Sequence, residues 1–379
     1  MDMAARMDNS DPIALLEELN HEAARHHIWL RTRANVPQHL PWHVGAIEPM
    51  PAPDGGQGRA LPHLWKWRDI EPYLHKIAEI APLDMTERQQ FLLTNPGFGG
   101  RLQIAPTMRI AISIYRPGDI ADQHLHTPNA SRTILSREGG YTIVDGERCD
   151  ARRGDLILTP HGTWHGHGND SAEPVIWMDV LDWPLIEYLD CIWSRSDLPA
   201  ASNAAPPDSQ ALYGAGGMVP RFARRPRGQS VATSPMIHYR GADVRARLDG
   251  MRKVEASPYE GVALDFTDPV TGGPLFPTLA YGAQLLRPGE ATLPYRDTAS
   301  TVFVVLAGHG TTEVNGKALA WEENDVFVVP PAMWRTHENG DEAKDAILYS
   351  VTDAPLLHKI GQFRAQGRAA GGHLVDLPA

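Results

Sequence analysis

Cysteine is almost missing from this chain: Cys149 and Cys191 are the two among 379 residues. That excludes a disulfide framework and a thiolate metal cage, and it fits a reducing compartment, so a cytoplasmic protein is expected. Long apolar runs are missing as well. No stretch approaches the roughly 18 residues that a membrane-spanning helix needs, and Met1 to Asn9 lack the basic-then-apolar order of a secretion signal. Positive charge is in deficit, with 35 Lys and Arg against 46 Asp and Glu for a formal net charge of −11. A protein that tracks nucleic-acid phosphates needs cations clustered over a whole face, so neither a nucleic-acid nor a membrane partner is expected.

Turn formers and histidine are what the chain has in quantity. Its 34 Gly and 32 Pro are spread along the sequence, which points to many turns between short strands rather than to disorder or a collagen-like repeat. Of 17 His, five (His124, His126, His161, His165 and His167) fall within 44 residues. The length by itself suggests two or three domains.

Residues 1–100 read as a helical lead-in. Ile13, Leu15, Leu16, Leu19, Ala23 and Ala24 recur at helical spacing after Asn9-Ser10-Asp11, which offers a cap. Gly55 to Arg59 reads as a loop, and Pro62-His63-Leu64-Trp65-Lys66-Trp67 brings an aromatic pair ahead of a helix ending near Ile80. Over residues 101–197 the pattern changes to short strands separated by Gly, Pro, Asn and Asp, as in Met108 to Tyr115, Tyr141 to Val144 and Asp155 to Leu158. That is the signature of an all-β barrel or sandwich. Residues 198–235 are rich in Ala, Pro, Gly and Ser and read as a linker; Arg221, Arg224, Arg225 and Arg227 within it read as a solvated or subunit-contacting arm.

Residues 236–379 then repeat the first β domain. Arg116-Pro117-Gly118-Asp119 is echoed by Arg287-Pro288-Gly289-Glu290, Val144-Asp145-Gly146-Glu147 by Val314-Asn315-Gly316-Lys317, Asp155 to Pro160 by Asp325 to Pro330, and Asp182-Trp183-Pro184-Leu185 by Asp353-Ala354-Pro355-Leu356. The echoes lie 170 or 171 residues apart, and a constant offset over several turns means two copies of one β domain.

Chemistry concentrates in the first copy. Alternate residues of a strand share a face, so His124 and His126 project together. His165 follows after the segment ending in Thr159-Pro160, a separation that suits a neighbouring antiparallel strand returning to the same place. Three neutral imidazoles suit zinc, copper, iron or nickel and leave positions open for water, substrate or dioxygen. The wider frame is Gly118, five residues, His124, one residue, His126, and then Gly154, five residues, Pro160, one residue, Gly162, two residues, His165, three residues, Asn169. In those spacings the sequence resembles the cupin superfamily. The resemblance implies two double-stranded β-helix barrels, a bicupin with a helical N-terminal segment. Many cupins also place a carboxylate four or five residues after the second His; Ala130 and Ser131 stand there, so a three-His site is expected. The bland alternative is a metal-free cupin used as a binding shell. In the second copy the ligand positions are Tyr295, Asp297 and Arg335, which cannot form such a site, and His337 reads as a polar surface or interface residue.

Further segments narrow the resemblance. Pro62 to Trp67, Asn95-Pro96-Gly97-Phe98-Gly99-Gly100, Asp182-Trp183-Pro184 and Asp268-Pro269-Val270-Thr271-Gly272-Gly273-Pro274, with Pro277-Thr278 after it, are together similar to gentisate 1,2-dioxygenases and their salicylate- and hydroxynaphthoate-cleaving relatives. The likeness runs from about Pro62 to Leu357. It implies Fe(II) held by His124, His126 and His165, a 2-hydroxybenzoate such as gentisate, salicylate or a 5-substituted salicylate, dioxygen as co-substrate, ring opening between the carboxyl-bearing and hydroxyl-bearing carbons, and a homotetramer.

Around that centre, Arg132 lies six residues after His126, an even spacing that returns it to the interior if the strand is regular, where it suits a carboxylate or forms an internal salt bridge. Arg88 stands where relatives place a substrate-binding Arg. His167 can share the inward face of His165 and take the substrate hydroxyl proton. Asp179, charged within the apolar run Val175 to Val180, is expected to orient a His or meet a cation. Where relatives carry Trp and, four residues on, Gln, this chain has Arg109 and Ser113. If Arg109 faces the pocket it favours a ring with an additional anionic or electron-withdrawing group such as nitro; otherwise it turns to the surface. Two other functions remain open on the residues alone: a non-oxidative metal-dependent isomerase or hydrolase, and a ligand-binding cupin without catalysis.

Overall fold

The structure, a computed structural model, describes residues 12–30, 59–81, 88–197, 208–216, 218, 233–254 and 256–378. The cap at Asn9 to Asp11, most of the expected loop at Gly55 to Arg59, and Arg221, Arg224, Arg225 and Arg227 lie outside the described residues.

Burial follows the strand patterns. Glu147–Arg152 buries every second residue, as a strand with one wet face does, whereas Arg109–Tyr115 is buried at every position because both of its faces are covered. In chain order the strands of the first half are β1 (Ile28–Leu30), β2 (His63–Trp65), β3 (Gln90–Leu93), β4 (Arg109–Tyr115), β5 (Ile120–His126), β6 (Ala130–Ile134), β7 (Glu138–Val144), β8 (Glu147–Arg152), β9 (Leu156–Thr159), β10 (His165–Gly168), β11 (Val175–Leu181) and β12 (Ser194–Arg195). The second half adds β13 (His238–Tyr239), β14 (Val262–Phe266), β15 (Ala280–Leu286), β16 (Tyr295–Asp297), β17 (Thr301–Ala307), β18 (Gly310–Val314), β19 (Lys317–Trp321), β20 (Val326–Val329), β21 (Arg335–Asn339), β22 (Ala346–Thr352), β23 (Ala365–Arg368) and β24 (Leu374–Leu377).

The first barrel closes a sheet of order β1-β3-β4-β11-β6-β9-β13 over one of order β12-β5-β10-β7-β8. The second pairs β14-β15-β22-β17-β20-β2 with β19-β18-β21-β16-β23-β24. Every pairing between the named strands is antiparallel, and the offset of about 170 residues reappears as matching strand orders, β4-β11-β6-β9 against β15-β22-β17-β20. One apolar cluster runs through both halves, joining Leu156, Met178 and Val180 to Tyr281, Val304 and Val351. The second barrel has a separate interior around Phe303, Trp321 and Phe327.

Two features depart from a simple chain of lead-in, barrel, linker and barrel. Within residues 1–100, Pro12–Ala23 is helical as expected, yet β1 and β3 extend the large sheet of the first barrel. The arms are also exchanged. β2, which precedes the first barrel, pairs with β20 of the second, while β13, which precedes the second barrel, pairs with β9 of the first. Each arm leads into a helix, Trp67–Ile80 or Gly241–Met251, and each helix start is held by the equivalent Asp of the barrel that its arm joins: Trp67 N donates to Asp325 at 2.7 Å and Gly241 N to Asp155 at 2.8 Å. Arms of two or three residues carry no periodicity that could announce their partners.

Candidate metal centre

β5 carries His124 and His126 on one face, and β10 returns antiparallel beside it with His165 opposite His124. The turn that brings β10 back is built from Pro160 to Thr163. Thr163 Oγ1 donates to Pro160 O at 2.6 Å, and Gly162, at φ +70°, turns its N–H onto the His126 carbonyl at 3.0 Å. A side chain at Gly162 would be strained by that left-handed backbone.

The ring centroids of His124, His126 and His165 are 4.5 to 5.6 Å apart, and one nitrogen from each lies within 4.8 Å of the other two. Every Nδ1 meets a backbone carbonyl: His124 that of Asp122 at 3.2 Å, His126 that of Pro128 at 2.8 Å, His165 that of Thr163 at 2.9 Å. A proton placed on Nδ1 by such a bond leaves the Nε2 lone pair for a metal. His165 Nε2 is buried without a hydrogen-bond partner, and burial, with the neighbouring His124 and His126, holds the His165 ring well below its ordinary pKa. Three converging imidazoles, His126 and His165 buried and His124 half-buried, fit a divalent transition metal, and they are the one such His/Cys/Asp/Glu cluster among the described residues.

A band of buried polar groups adjoins the trio. Arg132 is 1% exposed and lies 3.2 Å from Asp179, Nε to Oδ1, an ion pair without hydrogen-bond geometry; its Nη1 donates to Thr159 Oγ1 at 3.0 Å. Burial pulls the guanidinium down to about 10 although Asp179 opposes the shift, so it stays charged at neutral pH. Ser113 Oγ donates to the other Asp179 oxygen at 2.5 Å and lies 3.2 Å from Gln90 Oε1. Arg88, two residues before Gln90, brings its Nη2 against His124. His167 is 2% exposed, with Nδ1 3.0 Å from Thr142 Oγ1 and Nε2 buried without a hydrogen-bond partner; burial, then Arg132 and Arg88, hold it well below its ordinary pKa. Its ring packs near Tyr115 and Trp177, which stack at 4.8 Å.

The expected residues thus converge, by routes that differ in detail. Arg132 reaches the interior from β6, not from a continuation of β5: a turn at Thr127 to Asn129 separates the strands, so even spacing from His126 was not the cause. Asp179 meets a cation, Arg132. The Ser113 hydroxyl is spent on Asp179. Arg109 shares the strand face of Ser113, but its Nε donates to Leu102 O at 2.9 Å and its guanidinium lies 4.6 Å above the Trp183 ring. His161 is exposed, with Nδ1 2.8 Å from the Thr127 carbonyl. Gln90 and Thr142 were not anticipated; the i, i+2 relation of Arg88 and Gln90 was the available signal.

In the second barrel Arg335 Nη1 lies 3.2 Å from Asp297 Oδ2 and its guanidinium 4.3 Å from the Tyr295 ring, so a protein cation stands among the positions that correspond to the trio. The reading of His337 as a surface residue is corrected. It is 1% exposed, 2.8 Å from Thr312 Oγ1, and lowered to about 3 by burial. It is the counterpart of His167, on a strand that turns both residues inward.

Two β-helix barrels in one chain, one of them with three converging imidazoles, define a bicupin. The cupin domain family matches twice, over residues 111–181 and 282–352. A 5-aminosalicylate 1,2-dioxygenase from Comamonas sp is 38% identical over 319 residues, 82% of this chain and 83% of that protein. A gentisate 1,2-dioxygenase from Ralstonia sp is 33% identical, covering 81% and 85%. The crystal structure of a salicylate 1,2-dioxygenase from Pseudaminobacter salicylatoxidans, 30% identical, matches with a TM-score of 0.74 over 86% of this chain and 93% of that one. The chain belongs to this family of gentisate and salicylate 1,2-dioxygenases, ring-cleaving enzymes built on two cupin barrels.

Proposed function

We propose that His124, His126 and His165 hold one Fe(II) and that the enzyme uses dioxygen to open a 5-substituted 2-hydroxybenzoate between its carboxyl-bearing and hydroxyl-bearing carbons. The observation that carries this reading is the imidazole trio beside two buried cations, Arg132 and Arg88. Bound iron would supply open positions for the substrate oxygens and dioxygen, and a redox route from ring to dioxygen that zinc lacks.

The chain's own groups do the rest. Arg132 and Arg88 present fixed positive charge to the substrate carboxylate in a site where burial strengthens it. Asp179 and Thr159 hold the Arg132 fork, and Ser113 holds Asp179, so the cation is oriented before substrate arrives. His167 Nε2 receives the substrate hydroxyl proton, with Nδ1 steadied by Thr142. Tyr115 and Trp177 keep water from this wall. The Comamonas relative is a 5-aminosalicylate 1,2-dioxygenase, which supports a 5-substituted salicylate as the substrate class.

The test is oxygen uptake by anaerobically iron-loaded protein given salicylate, gentisate, 5-aminosalicylate and 5-nitrosalicylate in turn. Uptake with loss of the aromatic absorption is expected for at least one of them. No uptake with any would overturn the proposal.

A further inference from the structure

The two barrels meet through reciprocal contacts. Thr278 of the second barrel donates to Asp182 Oδ2 of the first at 2.5 Å, and Thr107 of the first donates to Asp353 Oδ2 of the second at 2.6 Å. Thr107 and Thr278, like Asp182 and Asp353, are 171 residues apart, so this is one contact made twice about a pseudo-two-fold axis. Arg153 and Glu323, 170 residues apart, pair with each other at 2.9 Å, as equivalent positions do when they sit on such an axis.

What lies behind the two contacts differs. Asp182 is fully buried; it accepts from Asn129 N at 2.8 Å and from Asn129 Nδ2 at 2.9 Å. Asn129 follows Pro128, whose carbonyl meets His126 Nδ1 at 2.8 Å. Asn129 Oδ1 also accepts from His161 N at 3.0 Å, which ties the loop to the turn that returns β10. Burial raises the Asp182 carboxyl, and the bonds from Thr278 and Asn129 oppose that shift. In the mirror contact, Asp353 accepts from Ser300 N at 2.8 Å, and the loop there leads to Asp297, which pairs with Arg335.

We infer that Thr278, a residue of the barrel that lacks the histidines, is a positioning residue for the metal ligand His126, acting through Asp182, Asn129 and the Pro128 carbonyl. The second barrel would then shape the metal centre besides completing the fold, and it would do so through one hydroxyl. This rests on the metal centre proposed above and not on the choice of substrate.

The mirror contact supplies its own control. Thr278→Val and Thr107→Val remove the same bond at equivalent places in the inter-barrel contact, so a purely structural role lowers thermal stability alike in both and leaves metal affinity alone. Metal-free full-length proteins are titrated with Co(II), reading its ligand-field absorption, and with Fe(II) in competition with a chelator. The expected result is roughly tenfold weaker metal binding and an altered cobalt spectrum for T278V, in the range found when a partner of a metal ligand is removed. T107V should stay within about twofold of wild type on that scale, and Thr278→Ser should restore wild-type binding. Equal affinities in T278V and T107V would overturn the inference. Should T278V fail to fold, Asn129→Ala breaks the same path inside the first barrel; unchanged metal binding there would overturn it equally. A wild-type protein that binds neither ion would overturn the metal centre itself, and that failure is distinct because it appears before any variant is made.

Discussion

Replacing Asp179 with Ala tests the polar band beside the histidines. Arg132 is 1% exposed and Asp179 3%, so neither charge has water to fall back on. Removal of Asp179 leaves a guanidinium held by Thr159, and it takes from Ser113 the shorter of its two bonds, leaving the one to Gln90. Breaking a buried pair from one side costs about 3 to 5 kcal/mol, because the cost is that of the stranded charge rather than of the lost attraction. Loss of the Ser113 bond adds about 1 kcal/mol. Urea unfolding at pH 7 with chelator present, so that metal binding does not enter, should therefore show Asp179→Ala destabilised by about 4 kcal/mol or more. The double variant Arg132→Met, Asp179→Leu should recover most of that, since apolar groups of similar volume carry no desolvation cost. A loss under about 1 kcal/mol in the single variant, or a double variant no more stable than the single, would refute the claim that Arg132 is held as a buried cation by Asp179.

Other expectations follow from the same contacts. His165→Ala removes the most enclosed of the three proposed ligands and should abolish iron retention after gel filtration; iron content equal to wild type would contradict the assignment. Arg88→Met should keep iron but raise KM for the aromatic acid at least tenfold, since the cation proposed to face the carboxylate is lost, and an unchanged KM would remove Arg88 from the site. His337 is lowered to about 3 against an ordinary 6.5, so its neutral form is the one the fold favours. That contribution is complete above pH 6.5 and declines as pH falls towards 3, by about 1.4 kcal/mol per unit. His337→Gln should flatten the acid limb of the stability profile between pH 6 and 4 relative to wild type, and an equally steep limb would show that His337 takes up its proton in the folded barrel as readily as in the unfolded chain.

Much of this was legible in the sequence because cupin spacing is turn chemistry written locally. Gly118, Gly146 and Gly162 all have positive φ, and each fixes the length of a return. The positions of His124, His126 and His165 follow from those returns. Asp179 announced itself as a charge in an apolar strand. The rest was illegible for two physical reasons. Arms such as His63–Trp65 and His238–Tyr239 are too short to carry a period, so their exchange between barrels left no trace in pattern. Contacts between the barrels, Thr278 with Asp182 and Arg153 with Glu323, join residues far apart in sequence, and only the pseudo-two-fold arrangement brings them together. His337 was misread for a related reason: without metal ligands around it, nothing in its neighbours marked an inward strand face, although its counterpart His167 did.

The metal and the reaction are tested together by loading the same metal-free protein with Fe(II) in one sample and Zn(II) in another, and following oxygen and ring absorption simultaneously. The account predicts one dioxygen consumed per ring opened in the iron sample and neither change in the zinc sample. Ring opening by the zinc form, or ring opening without oxygen uptake in either, would contradict it.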